Sequence, residues 1–113
     1  MTEQPEIRKI QELEDGVILT LGIPADLSYF PGHFPQHPVL PGVVQLRWAD
    51  ELAQRYQLVD RSHASVEKLK FQRIISSNYE VILELKRIDA QTVQFQYHSE
   101  HGQHSSGKLR FNK

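Results

Sequence analysis

Apolar positions recur along this chain at two periods, and the place where the period changes divides it. Gly16 to Ile23 is rich in Val, Ile and Leu and predicts a strand. Far downstream, Val81, Leu83 and Leu85 alternate with Ile82, Glu84 and Lys86, and Val93, Phe95 and Tyr97 alternate with Gln94, Gln96 and His98. Both runs have the two-residue period of strands with one buried face. Leu69 and Phe71 alternate as well, but Val66 is out of step with them, which predicts a bulge or a late strand start. Leu109 and Phe111 supply a last strand, and Asp89-Ala90-Gln91 and His101-Gly102-Gln103 read as hairpin turns. Between the two strand-forming regions the period lengthens. Val43, Leu46, Ala49 (or Asp50), Ala53 and Tyr56 follow a three-and-four spacing that predicts one amphipathic helix from Gly42 to about Gln57.

The predicted order is strand, long strap, helix, then four strands. One helix against a mostly antiparallel sheet is the economical packing, with the small Ala49 and Ala53 letting helix and sheet approach. Such a sheet has edges, and edge-to-edge dimerisation would cover them.

The strap, Pro24 to Pro41, carries the most specific signal. Prolines 31, 35, 38 and 41 recur every three or four residues, which forbids a helical ladder and pushes Phe30, Phe34, His37 and Leu40 toward extended backbone. A stiff loop thus carries His33 toward the start of a helix opened by Pro41-Gly42, where unpaired N–H groups gather.

Composition narrows the classes. At 113 residues the chain is expected to be a single domain, 1–113, with one site or one per subunit. With no cysteine there is no disulfide, thiolate nucleophile or cysteine-based metal site. The polar start Met1-Thr2-Glu3-Gln4-Pro5-Glu6 has no signal-like apolar core, and no segment is long enough to span a bilayer, so a cytoplasmic location without membrane contact is expected. A formal net charge of −1 gives nucleic acid binding no global support. Locally, Arg61, Lys68, Lys70 and Arg73 offset the single Glu67 between positions 61 and 73. That stretch could receive an acidic partner, although a solvated strand face is the more ordinary reading.

The run Gly32-His33-Phe34-Pro35-x-x-Pro38-Val39-x-Pro41-Gly42-Val43 resembles the signature of hotdog-fold β-hydroxyacyl-acyl-carrier-protein dehydratases. Its continuation, Val44-Gln45-Leu46-Arg47-Trp48-Ala49, is most similar to the small branch of that family found in aryl polyene biosynthesis. The resemblance implies an α+β hotdog fold, a curved antiparallel sheet wrapped around one central helix, with active sites shared across a dimer. It also implies a hydro-lyase acting on a 3-hydroxyacyl thioester carried on the phosphopantetheine of an acyl carrier protein, with no other cofactor.

Dehydration of that substrate needs a base for the α-proton, donors for an enolate-like oxygen and an acid for the departing hydroxyl. In the implied scheme His33 is the base, its imidazole having an ordinary pKa near ~6.5. The N–H groups of Gly42 and Val43 polarise the thioester carbonyl. Phe34, Pro35, Pro41 and Leu46 line the acyl channel. The chain departs from the family at the position of the acid, where Arg47 stands in place of Glu or Asp. Arginine keeps its proton at any usable pH and cannot act as general acid. Asp50 and Glu51 lie about 5 Å further along the helix by rise, and would substitute only with a shifted helix or substrate. A cation beside His33 would keep the imidazole neutral, so the base half can survive. An acid supplied by a related hotdog subunit in a heterodimer is a further route, beside the homodimer.

Other residues have plainer readings. His37 follows His33 by four residues, but the prolines prevent the helix that would align them on a metal. His98, His101 and His104 fall on a strand end and a turn, which scatters them, so a solvated hairpin is expected and no metal site. Trp48 is expected in the core or an interface. Two other functions fit the same fold: a hotdog thioesterase, which needs a water-activating carboxylate, and a non-catalytic subunit that binds the carrier protein or its thioester.

Overall fold

The computed structural model describes residues 4–25 and 39–112. Six strands, β1 (Glu6–Glu12), β2 (Gly16–Gly22), β3 (Ser65–Phe71), β4 (Glu80–Asp89), β5 (Thr92–Ser99) and β6 (Gly102–Arg110), accompany one helix, α1 (Gly42–Arg55). They form one antiparallel sheet in the order β1-β2-β4-β5-β6-β3, so β1 and β3 are the edges.

The alternation in the sequence becomes the two faces of this sheet. Leu19, Leu21, Val81, Leu83, Val93, Phe95, Tyr97 and Leu109 are fully buried against Trp48, Ala49, Leu52 and Ala53 of α1. Ala49 and Ala53 meet the sheet as expected. The β4–β5 turn falls at Ala90–Gln91, and the β5–β6 turn at Glu100–His101, with Gly102 at φ 111 opening β6.

Three details depart from the expected pattern. β1 is a strand that the sequence pattern did not announce: its burial is slight, Ile10 stays exposed, and its charges suit an edge. The helix ends at Arg55, where Gln57 takes φ 64 and the N–H groups of Leu58 and Gln57 donate to the carbonyls of Ala53 and Gln54, a Schellman closure without glycine. The buried stripe of α1 is also rotated from the expected one. It runs through Val44, Gln45, Trp48, Ala49, Leu52 and Ala53, leaving Val43 67% exposed and Leu46 and Tyr56 only partly buried. Trp48 brings the largest apolar surface, and its neighbours one turn away, Val44 and Leu52, turn inward with it.

The expected bulge is in β3. Glu67 faces Lys108 while Lys70 faces Ser106, so one extra residue lies between them, and Lys68 takes φ 54. As a result Val66 and Phe71, five apart, lie opposite Leu109 and Ser105 on the inner face, and Glu67 and Lys70 share the outer face.

Candidate functional site

The candidate site lies where the chain enters α1. Val39 forms a bridge with Ser76, and the Leu40 N–H donates to the Ile75 carbonyl at 2.8 Å. Pro41 is the N-cap at φ −61, ψ 147, and its carbonyl accepts from the N–H groups of Val44 (3.1 Å) and Gln45 (3.2 Å). The first turn has no acidic residue and no side-chain cap. The N–H groups of Gly42 and Val43 therefore head the helix with no hydrogen bond to another described residue.

Gly42 lies against Phe71 of β3. A Cβ added to the glycine would stand 2.6 Å from the ring's Cζ, and the ring itself is 52% exposed. Val43 and Ile74 are exposed at the same end. Pro41 and Leu46, expected along an acyl channel, are partly buried, Leu46 against the core. Arg47 is exposed on α1, one turn beyond Val43. His33, Phe34 and Pro35 lie outside the described residues, as does His37.

The two carboxylates considered as replacement acids are engaged elsewhere. Asp50 is 8% exposed and accepts from His63 Nδ1 at 2.9 Å and Gln54 Nε2 at 3.0 Å. Glu51 accepts from Gln4 Nε2 at 3.2 Å.

The three downstream histidines have three different surroundings. His98 Nε2 meets Glu84 at 2.6 Å, and the His101 ring stacks on Tyr79 with centroids 4.2 Å apart. His104 is not solvated as expected but fully buried. A register shift after Tyr97 and the pairing of the His104 carbonyl with the N–H groups of Gln72 and Arg73 carry it inward. Its Nδ1 lies 3.2 Å from the Arg73 carbonyl, an acceptor only, so Nδ1 carries the proton and Nε2 accepts from Ser99 Oγ at 2.7 Å. Burial lowers the His104 pKa, which favours this neutral form. No three His, Asp or Glu side chains among the described residues cluster as metal ligands.

The basic stretch divides in space. Arg61 is held by Asp60 and the Asn112 carbonyl at the far end of α1. Arg73 lies near Gly102 in the β5–β6 hairpin. Lys68 and Lys70 join Lys108 around a groove of about 330 Å³, with Leu69, Gln94 and Ser106. None of these three ammonium groups pairs with a carboxylate among the described residues.

A family model, the ApeI dehydratase group, matches residues 9–108, almost the whole chain. The chain belongs to the ApeI-like dehydratase family. Among solved structures, the dehydratase heterocomplex ApeI:P from Xenorhabdus doucetiae superposes with a TM-score of 0.82 at 28% identity, covering 97% of each chain. An uncharacterized protein from Erwinia carotovora subsp. atroseptica gives 0.76 at 28% identity, covering 97% of this chain and 95% of that one. The six-stranded sheet with the one helix of the described residues is thus the hotdog fold that the strap motif implied. Similar curated proteins include the 3-hydroxyacyl-[acyl-carrier-protein] dehydratases FabZ of Streptococcus sanguinis and Streptococcus gordonii, each 27% identical over 89 residues. Those matches cover 70% of this ApeI-like chain and 61% of each FabZ. No helix among the described residues is long and apolar enough to cross a membrane.

Pattern reading missed Gln45, Phe71 and Lys108 as parts of this region. Gln45 sits between Val44 and Leu46 and, with Trp48 facing inward, falls on the buried side. Phe71 and Lys108 needed the β3 register, which the Val66 misfit signalled without specifying.

Proposed function

We propose that this chain is a dehydratase subunit acting on a 3-hydroxyacyl thioester presented by an acyl carrier protein. The neutral His33 imidazole removes the α-proton while the Gly42 and Val43 N–H groups bind the thioester oxygen, on which negative charge develops. The C3 hydroxyl leaves with a proton as water, and the product is the 2-enoyl thioester. The observation that supports this reading is the pair of Gly42 and Val43 N–H groups with no hydrogen bond among the described residues, at a helix start without a side-chain cap and directly after the strap motif. Phosphopantetheine is the carrier's own arm, and no further cofactor is required by this chemistry.

Arg47 determines how the proton reaches the leaving hydroxyl. A guanidinium can bind the hydroxyl or a water but cannot supply the proton at neutral pH. The acid then comes from water, with weakened turnover, or from a related hotdog subunit paired with this one. The exposed Val43, Phe71 and Ile74 at the helix start, and the open edge of β3, offer surface for such a partner. The similar Xenorhabdus protein belongs to a dehydratase heterocomplex, which supports the second route. Lys68 and Lys70 of β3 and Lys108 of β6 line one groove beside the strand end whose Phe71 covers Gly42, a fitting landing face for an acidic carrier.

The test is incubation of the chain, alone and mixed with a related hotdog subunit, with 3-hydroxyacyl and enoyl carrier-protein thioesters. Interconversion that needs His33 supports the reading, and His33→Ala should lower it about 10²- to 10⁴-fold. Arg47→Glu should raise the activity of the chain alone. Carrier binding without conversion in any pairing would favour the non-catalytic subunit, a reading that Arg47 itself recommends. Release of free thiol would indicate the thioesterase, for which Asp50 and Glu51 are poorly disposed.

A further inference from the structure

Beneath the helix start lies a polar group that the dehydration scheme does not use. Gln45 is 4% exposed, one of the few polar side chains buried among the described residues. Its Nε2 donates to the Leu40 carbonyl at 3.2 Å, its Oε1 accepts from Ser105 Oγ at 2.7 Å, and its backbone carbonyl accepts from the Tyr97 hydroxyl at 2.7 Å. Its own N–H donates to the Pro41 carbonyl.

The direction of the Gly42 donor follows from these bonds. In a trans peptide the carbonyl and N–H point opposite ways in one plane. Holding the Pro41 carbonyl inside the helix therefore aims the Gly42 N–H outward. Leu40 is held on both sides, by Ile75 through its N–H and by Gln45 through its carbonyl. We infer that Gln45 is a positioning residue: its side-chain amide, anchored on Ser105 of β6, fixes the Leu40–Pro41 segment and so aims the Gly42 and Val43 donors. This rests on the proposed use of those donors to bind a thioester oxygen. A hydrophobic residue at 45 would fill the space but leave Ser105 Oγ and the Leu40 carbonyl without this partner.

Gln45→Leu removes both side-chain bonds at similar volume, and Ser105→Ala removes only the anchor. In Gln45→Leu, amide exchange at Leu40, Val44 and position 45, whose N–H groups are hydrogen-bonded to the Ile75 and Pro41 carbonyls, should quicken about tenfold or more relative to the central amides of β4 and β5, a local opening and not global unfolding. With a carrier-free 3-hydroxyacyl pantetheine thioester, in whichever pairing makes the native chain active, kcat should fall about 10- to 100-fold. KM should stay within about threefold, the split expected when a transition-state contact is misaimed. Ser105→Ala should shift both readouts in the same direction by less, and it decides the matter if Gln45→Leu does not fold. Unchanged relative exchange at residues 40, 44 and 45, or a kcat loss fully explained by the unfolded fraction, would overturn the inference. If the native chain converts no 3-hydroxyacyl thioester in any pairing, the proposed reaction fails, and the exchange measurement alone decides the role of Gln45.

Discussion

The ring of Phe71 rests on Gly42, so that the first residue of α1 and the last residue of β3 share one surface. A methyl group at position 42 would meet the ring at 2.6 Å, while the half-exposed ring has room to turn away.

Gly42→Ala should therefore fold normally. Alanine is the better helix former by about 0.8–1 kcal/mol, which offsets the displacement of the ring. Turnover of a 3-hydroxyacyl thioester should drop about tenfold or more, because the methyl stands between substrate and donor. Adding Phe71→Ala, which removes the ring the methyl displaces, should leave turnover just as low, so the loss does not come from the moved ring. Thermal melting and steady-state kinetics on the two variants check both halves.

Tyr97→Phe removes the hydroxyl that donates to the Gln45 carbonyl and should cost about 0.5–1.5 kcal/mol in urea unfolding. Burial pushes the Tyr97 hydroxyl above the ordinary phenol range. Its contribution is thus complete below about pH 10, where unfolded tyrosine still holds its proton, and declines as pH rises above that. The stability difference between native chain and variant should be flat from pH 7 to 9 and shrink beyond pH 10.

His104 gives a dependence on the acid side. Its folded pKa is lowered, so the unfolded chain binds the proton more readily. Stability from this group is present above about pH 6.5 and is lost as pH falls through the folded value. His104→Asn, which keeps a donor for the Arg73 carbonyl but cannot titrate, should melt with a shallower decline between pH 7 and 5 than the native chain. An equal slope would show that other groups govern the acid limb.

Charge reversal at Lys70 and Lys108 tests the outer groove. The double change to Glu should weaken binding of a holo acyl carrier protein about tenfold or more at low salt, and the difference should fade toward 1 M, where screening acts within about 3 Å. Activity on a carrier-free thioester should be unaffected. Calorimetric titration and kinetics across a salt series distinguish this docking effect from damage to the site.

The strands from β4 onward and the span of α1 were legible because alternation and the Pro41-Gly42 boundary are local signals that the tertiary structure only reinforced. β1 was not, since Ile7 alone packs toward the core and the rest of the strand is charged edge. The buried face of α1 lies one residue away from the stripe that Val43 and Leu46 predict, because the bulk of Trp48 settles the matter along with Val44 and Leu52. Near the candidate site, the start of α1 at Gly42 was legible from the Pro41-Gly42 boundary. Gln45 was not, because a lone glutamine on a helix reads as surface until Ser105, sixty residues away in the chain, is brought beside it. His104 shows the same limit: a hairpin histidine looks wet until the chain just after β3, at Arg73, closes over it.

The extra residue in β3 works as a phase shifter. Upstream of it Val66 looks inward; downstream, the same strand sends Phe71 to the helix start and Lys70 to the opposite side. A straight β3 with every residue kept and no bulge would exchange those two destinations, sending the Lys70 ammonium group toward the helix start and the Phe71 ring out among the lysines. One insertion thus keys the chemistry of both sides of the edge strand together, and neither side can change register without the other.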